Sequence, residues 1–194
     1  MTRKELLGVA KPILFNTEMV RAILEGRKTC TRRIIKPKSR YACGIYVTKG
    51  QVFERTEESR MWKHQKPLYN PGDVMYVRET WSEWTGGYLY KAWPGPFPQP
   101  GGSAKMTWHP SLHMPKEAAR IFLRVTDVRV ERLQEITPEQ AICEGTKETF
   151  PPLAVDEFRD IWNSTVDKKD TELYGWDANP WVWVYEFERI AEEP

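Results

Sequence analysis

Little in this sequence points to a metal, a disulfide or a membrane. It has three histidines and three cysteines in 194 residues. The cysteines, Cys30, Cys43 and Cys143, are odd in number and lack C-x-x-C spacing. That argues against a disulfide framework or a zinc ribbon and for reduced thiols. His109 and His113 are four apart, but Pro110 between them denies the helical presentation that would aim both at one ion. No metal and no cofactor is therefore expected. No apolar run approaches the roughly 18 residues of a membrane span. The opening MTRKELLGVAKPILFN carries too short an apolar run, and no small-residue cleavage site, for a signal peptide. The expectation is a cytoplasmic protein with no membrane partner.

Negative charge is scarce in one region only. Residues 1–49 hold twelve Lys and Arg against three Asp and Glu, although the whole chain is only +2. Local potential, more than net charge, steers and holds phosphate-bearing partners, so this asymmetry suits RNA or a nucleotide. The alternative is that the fold sets acids opposite these bases.

The chain reads as one domain, residues 1–194. KPILFN is a first strand, followed by a helix from Thr17 to about Glu25 with Asn16 as its cap and Gly26 as its stop. Residues 29–35 read as a strand closed by the basic turn KPKSR. YACGIYVTKGQVFER is a hairpin turning at TKGQ, and NPGDVMYVRETWSEW a turn feeding a strand. From Trp84 to Pro115 glycine, proline and aromatics are dense enough to argue against regular elements. A long ordered insertion or lid is expected at about 82–118. Alternation returns in ARIFLRVTDVRVERLQ. ITPEQAICEG is a short helix with Thr137 as N-cap, Pro138 first inside and Gly145 as the stop. LAVDEFRDIWNST is a second helix and NPWVWVYEFERI a final strand. Strands outnumber helices and do not alternate with them regularly, which predicts an α+β fold: a mostly antiparallel barrel with flanking helices.

The densest chemistry lies in LEGRKTCTRR, where Arg27, Lys28, Arg32 and Arg33 surround two threonines behind Gly26. The pattern G-x-K-x-x-x-x-R lacks the glycines and the Lys-Ser/Thr ending of a P-loop, but its arginine forks suit phosphate. Taken alone it is equally an exposed basic strand. In a flat strand Lys28 and Thr31 face opposite ways, and they meet only if a turn after Gly26 swings Lys28 around. A lysine crowded by Arg27, Arg32 and Arg33 would then have its charged form disfavoured and could take the Thr31 proton. Glu144 ends the short helix, where the macrodipole does not favour a carboxylate; it is either a solvated terminus or placed for another reason. Of the nine tryptophans, Trp93 and Trp108 in the insertion are the candidates for stacking on a base, whereas Trp181 and Trp183 suit a core.

ILEGRKTCTRR, PGDVMYVRETW, ITPEQAICEG and NPWVWVYEFERI, in that order, resemble the ASCH domain, a PUA-like β-barrel family. The likeness runs nearly the whole chain and is closest to the larger ASCH proteins of phages and prophages. The resemblance implies a cleft between barrel and helices used for RNA or modified nucleosides. Its small members look like amidohydrolases that deacetylate N4-acetylcytidine. It implies Lys28 as base, Thr31 as nucleophile and Glu144 as proton carrier, with Arg33 holding an oxyanion or phosphate and no metal required. Gly26, Arg27, Arg32, Arg33, Trp93 and Trp108 would contact substrate. The insertion at 82–118 has no counterpart in the small amidohydrolases. Two alternatives stay open: a non-catalytic module binding RNA or a modified base, and a metal-independent ribonuclease.

Overall fold

A computed structural model describes residues 1–39, 42–56, 62–93, 95 and 106–191, without the side chains of Ala42 and Cys43. The expected insertion at 82–118 therefore lies in part, at 94 and 96–105, outside the described residues, as does the Cys43 thiol. The fold is mixed α+β. Its helices are α1 (Arg3–Val9), α2 (Thr17–Leu24), α3 (Pro138–Cys143), α4 (Pro151–Thr165) and α5 (Thr171–Tyr174). Its strands are β1 (Lys11–Leu14), β2 (Cys30–Ile34), β3 (Ala42–Thr48), β4 (Gln51–Thr56), β5 (Lys63–Gln65), β6 (Val74–Arg78), β7 (Trp81–Trp84), β8 (Gly87–Tyr90), β9 (Phe122–Arg132) and β10 (Trp181–Ile190). No helix among the described residues is long and apolar enough to cross a membrane.

Local chemistry accounts for most boundaries. Asn16 accepts the Met19 amide to start α2, and Thr137 and Gln140 form a capping box at α3. Lys49 and Gly50, both at positive φ, make the tight turn of the β3–β4 hairpin. A further capping box, Thr2 with Glu5, starts α1, an element that the sequence reading leaves out.

Five strands form the main sheet in the order β1-β6-β9-β10-β2; β1 pairs with β6 in parallel, and the other pairs are antiparallel. The expected barrel does not close: β1 and β2 are the sheet's edges, with no ladder between them among the described residues. Pro12, which has no N–H to give, is tolerated in β1 because that strand is an edge. A side chain crosses the gap instead, with Arg33 donating to the Leu14 carbonyl at 2.7 Å.

Strand β10 is buried on both faces. Trp183, Tyr185 and Phe187 join the core under α2, while Val182 and Val184 pack against Phe158 and Trp162 of α4. A third cluster joins Leu6 of α1 to Trp81, Tyr90 and Met114 at the foot of the insertion. There the reading of 84–115 as free of regular elements is corrected, since β8 pairs residue by residue with β7. Aromatic partners across the ladder, including Trp81 edge-on to Tyr88, supply the packing that glycine-rich sequence lacks by itself.

Candidate functional site

Gly26 ends α2 at φ 76°, and the amides of Arg27 and Lys28 both turn back to the Ala22 carbonyl. The chain enters β2 only at Cys30, so Lys28 is not held to the strand's alternation. The turn brings Lys28 to a cavity that Thr31 also lines. The Thr29 amide then bonds the Cys143 carbonyl at 2.9 Å, which pins the end of α3 beside the start of β2. Gly145 allows that approach. At φ +94°, a Cβ there would lie 2.9 Å from the Cβ atoms of both Ala22 and Lys28.

Glu144 is thereby set next to Lys28. The Lys28 Nζ donates to Glu144 Oε2 at 2.7 Å and to the Glu144 carbonyl at 2.8 Å, with both side chains buried. Arg32 donates to the other carboxylate oxygen at 3.2 Å, and also to Glu131 at 3.0 Å and to Gln140 at 2.7 Å. The two cations that flank α3's end offset the dipole penalty on Glu144 and satisfy a terminal carbonyl. From Glu131 the network runs on to Arg129, which also holds Asp127 and Glu186. Burial works to lower the Arg129 pKa, but these carboxylates outweigh it and the group is raised.

Lys28, Thr31, Arg32, Arg33 and Glu144 all line one cavity of about 120 Å³. It straddles the free edge of β2, which is why residues from both faces of the strand reach it. Phe15 forms one wall, with Lys28 Nζ 5.5 Å and the Arg33 guanidinium 5.1 Å from its ring. Phe158, Ile161 and Trp162 of α4 form the other. Thr31 is buried at the cavity wall. Arg32 Nε is buried and has no hydrogen-bond partner among the described residues. Arg33 makes no ion pair among the described residues; burial lowers its pKa, with Tyr69 opposing.

The remaining expected contacts fall elsewhere. Arg27 binds Glu25 and the carbonyls of Gly145 and Thr146, a brace between α2 and the loop after α3, and it lines a different cavity, of about 270 Å³. Trp93 is exposed, with the Arg120 guanidinium 5.7 Å from its ring, and neither it nor Trp108 lines the cavity. His109 lies 4.9 Å from the Trp81 ring, and no group of three potential metal ligands occurs among the described residues. Sequence reasoning misses the walls Phe15 and Phe158 and the part of Glu131. The i, i+4 spacing of Phe158 and Trp162 marks a helix face without saying what it covers.

Comparison of the chain with protein-family models, with curated proteins and with solved structures finds no match.

Proposed function

We propose that this chain is a PUA-like, ASCH-type protein that holds a nucleobase or modified nucleoside of RNA or a nucleotide at the edge of β2. On this reading it hydrolyses an N4-acylcytosine-type amide there. One observation carries the reading: Lys28, Thr31 and Glu144 line a single cavity, with the lysine on the glutamate.

The proton inventory of the Lys28–Glu144 pair suits the chemistry. A proton passing from Lys28 to Glu144 leaves an amine base beside a carboxylic acid. Thr31 Oγ1 attacks the acyl carbon while Lys28 takes its proton, and Arg32 and Arg33, which line the same cavity, supply the donors for the oxyanion. As the C–N bond breaks, Glu144 returns its proton to the departing amine. Water then attacks the acyl-threonine ester and gives its proton to Glu144, and Lys28 protonates the leaving Thr31 oxygen. Proton transfer from Glu144 to Lys28 restores the starting pair. Neither metal nor redox partner enters this scheme.

A second reading, binding without chemistry, draws support from the engagement of both Glu144 oxygens, by Lys28 and by Arg32, as in a structural ion pair. The test is product release from N4-acetylcytidine and a panel of other N4-acylated cytosines, by the wild type and by Thr31→Ala. Release by the wild type alone is the expected result. Silence across the panel from folded protein, with Thr31→Ala still binding the bases, would replace hydrolysis by binding.

A further inference from the structure

The cavity at the β2 edge has room for about four waters at roughly 30 Å³ each, enough for a planar headgroup and too little for a nucleotide. A second cavity, of about 680 Å³, adjoins it and shares Leu14 and Arg33 with it. That volume falls in the range of about 300–1,000 Å³ usual for small-ligand sites. It occupies the seam where the main sheet fails to close, so that Pro12 and Ile13 of β1 and Ile34 of β2 form its sides.

The polar lining of this groove is of one sign. Arg33, Lys36, Lys38 and Lys66 reach it, and no carboxylate does among the described residues. Lys36 has a loose pairing, 3.4 Å from Asp170, and lies 4.8 Å from the Tyr174 ring; Lys38 and Lys66 are exposed and in no ion pair among the described residues. The back is aromatic, from Tyr69, Trp183 and Tyr185, whose hydroxyls are already committed to backbone groups in the two tyrosines. Gln65 is buried there. Its amide nitrogen donates to the Lys36 carbonyl, while its Oε1 has no partner among the described residues. A buried acceptor left unpaired is costly, and a donor from a bound molecule would relieve it.

Resting on the base-binding reading above, we infer that the seam groove is the phosphate and sugar subsite of the same ligand. The ligand class is thereby a phosphate-bearing nucleotide, with its base at Lys28, Thr31 and Glu144 and its charged backbone along Arg33, Lys36, Lys38 and Lys66. Arg33 is the hinge of the arrangement, since its guanidinium borders both cavities. Four cations in a lining without a carboxylate among the described residues disfavour an added peptide strand, the other occupant that the two sheet edges could accept. A mononucleotide and a single-stranded RNA share the chemistry, and chain length separates them.

The experiment measures equilibrium binding of cytidine, cytidine 5′-monophosphate and a cytidine-containing tetranucleotide, the last by fluorescence anisotropy, across a salt series. At least one phosphate-bearing probe should bind tenfold or more tighter than cytidine. A salt slope growing by about 0.7 per added phosphate marks the single-stranded chain, and no gain beyond the monophosphate marks a mononucleotide site. The triple substitution Lys36→Ala, Lys38→Ala and Lys66→Ala should erase the advantage of phosphate. Cytidine binding as well as either phosphate-bearing probe, or an advantage that survives the triple substitution, overturns the groove assignment and leaves the base cavity standing. Failure of all three probes to bind overturns both. Preference for an acidic peptide over the tetranucleotide makes the seam a strand-docking site and also overturns the assignment.

Discussion

Replacing Lys28 with methionine is the most informative perturbation of the ion-pair network, because the structure predicts a cost that a second substitution should partly recover. Lys28→Met keeps an aliphatic chain beside Phe15 but leaves Glu144 Oε2 and the Glu144 carbonyl without their donor. Removing one partner of a buried pair costs about 3–5 kcal/mol. Here Arg32 still holds Oε1, which argues for the lower end of that range, and the orphaned carbonyl adds about 1 kcal/mol or more. For a chain of this size each kcal/mol lowers Tm by about 2–4 °C, so a fall of roughly 8–16 °C is expected. In the double variant Lys28→Met, Glu144→Met no carboxylate is stranded, and Arg32 keeps Glu131 and Gln140. It should be more stable than Lys28→Met alone. Urea unfolding followed by far-UV circular dichroism gives all four corners of the cycle. Additive single-variant effects, or a Lys28→Met change below about 1 kcal/mol, would refute the described contact.

Three further outcomes are expected. Gly145→Ala must accept both a positive φ and contacts of 2.9 Å with Ala22 and Lys28. It should cost about 2–4 kcal/mol in unfolding experiments, against about 1–2 kcal/mol for Gly26→Ala, whose Cβ would meet nothing within 4 Å. Asp73 is held below the usual carboxylate range by its hydrogen bond from Lys11. Its contribution is therefore present above the unfolded pKa and lost as pH falls through the folded value; Asp73→Asn should remove that acid limb from a stability-versus-pH curve. Glu79 has the opposite sign, since burial raises its pKa against the hydrogen bonds from Arg120. Its contribution is greatest below the unfolded pKa and declines as pH rises through the folded value, a slope that Glu79→Gln should flatten.

Much of the fold is legible in the sequence because its signals are local. Asn16, Thr137 with Gln140, the Lys49–Gly50 turn and the alternation of β9 each fix an element from within a few residues. β8 escapes because Gly87–Tyr90 becomes a strand only by facing β7, which no local propensity reports. The site divides the same way. The turn that frees Lys28 is written in Gly26. The capture of Arg32 by Glu131, Gln140 and Glu144 joins residues 99, 108 and 112 positions apart. The N-terminal excess of positive charge also divides in two. Acids neutralise Arg27, Lys28 and Arg32, whereas Arg33 and Lys38 have no acid partner among the described residues.

Among the described residues the strand that carries Thr31 has one ladder neighbour, β10, with Thr31 opposite Tyr185. On a ribosome, β2 therefore leaves the exit tunnel long before anything exists to pair with it. Lys28 spends that interval without Glu144, the carboxylate that later holds it. Contacts so distant in sequence are slow to form, because loop closure must come before they contribute. In a growing chain the pairing of β2 therefore waits until residues 181–190 have been made.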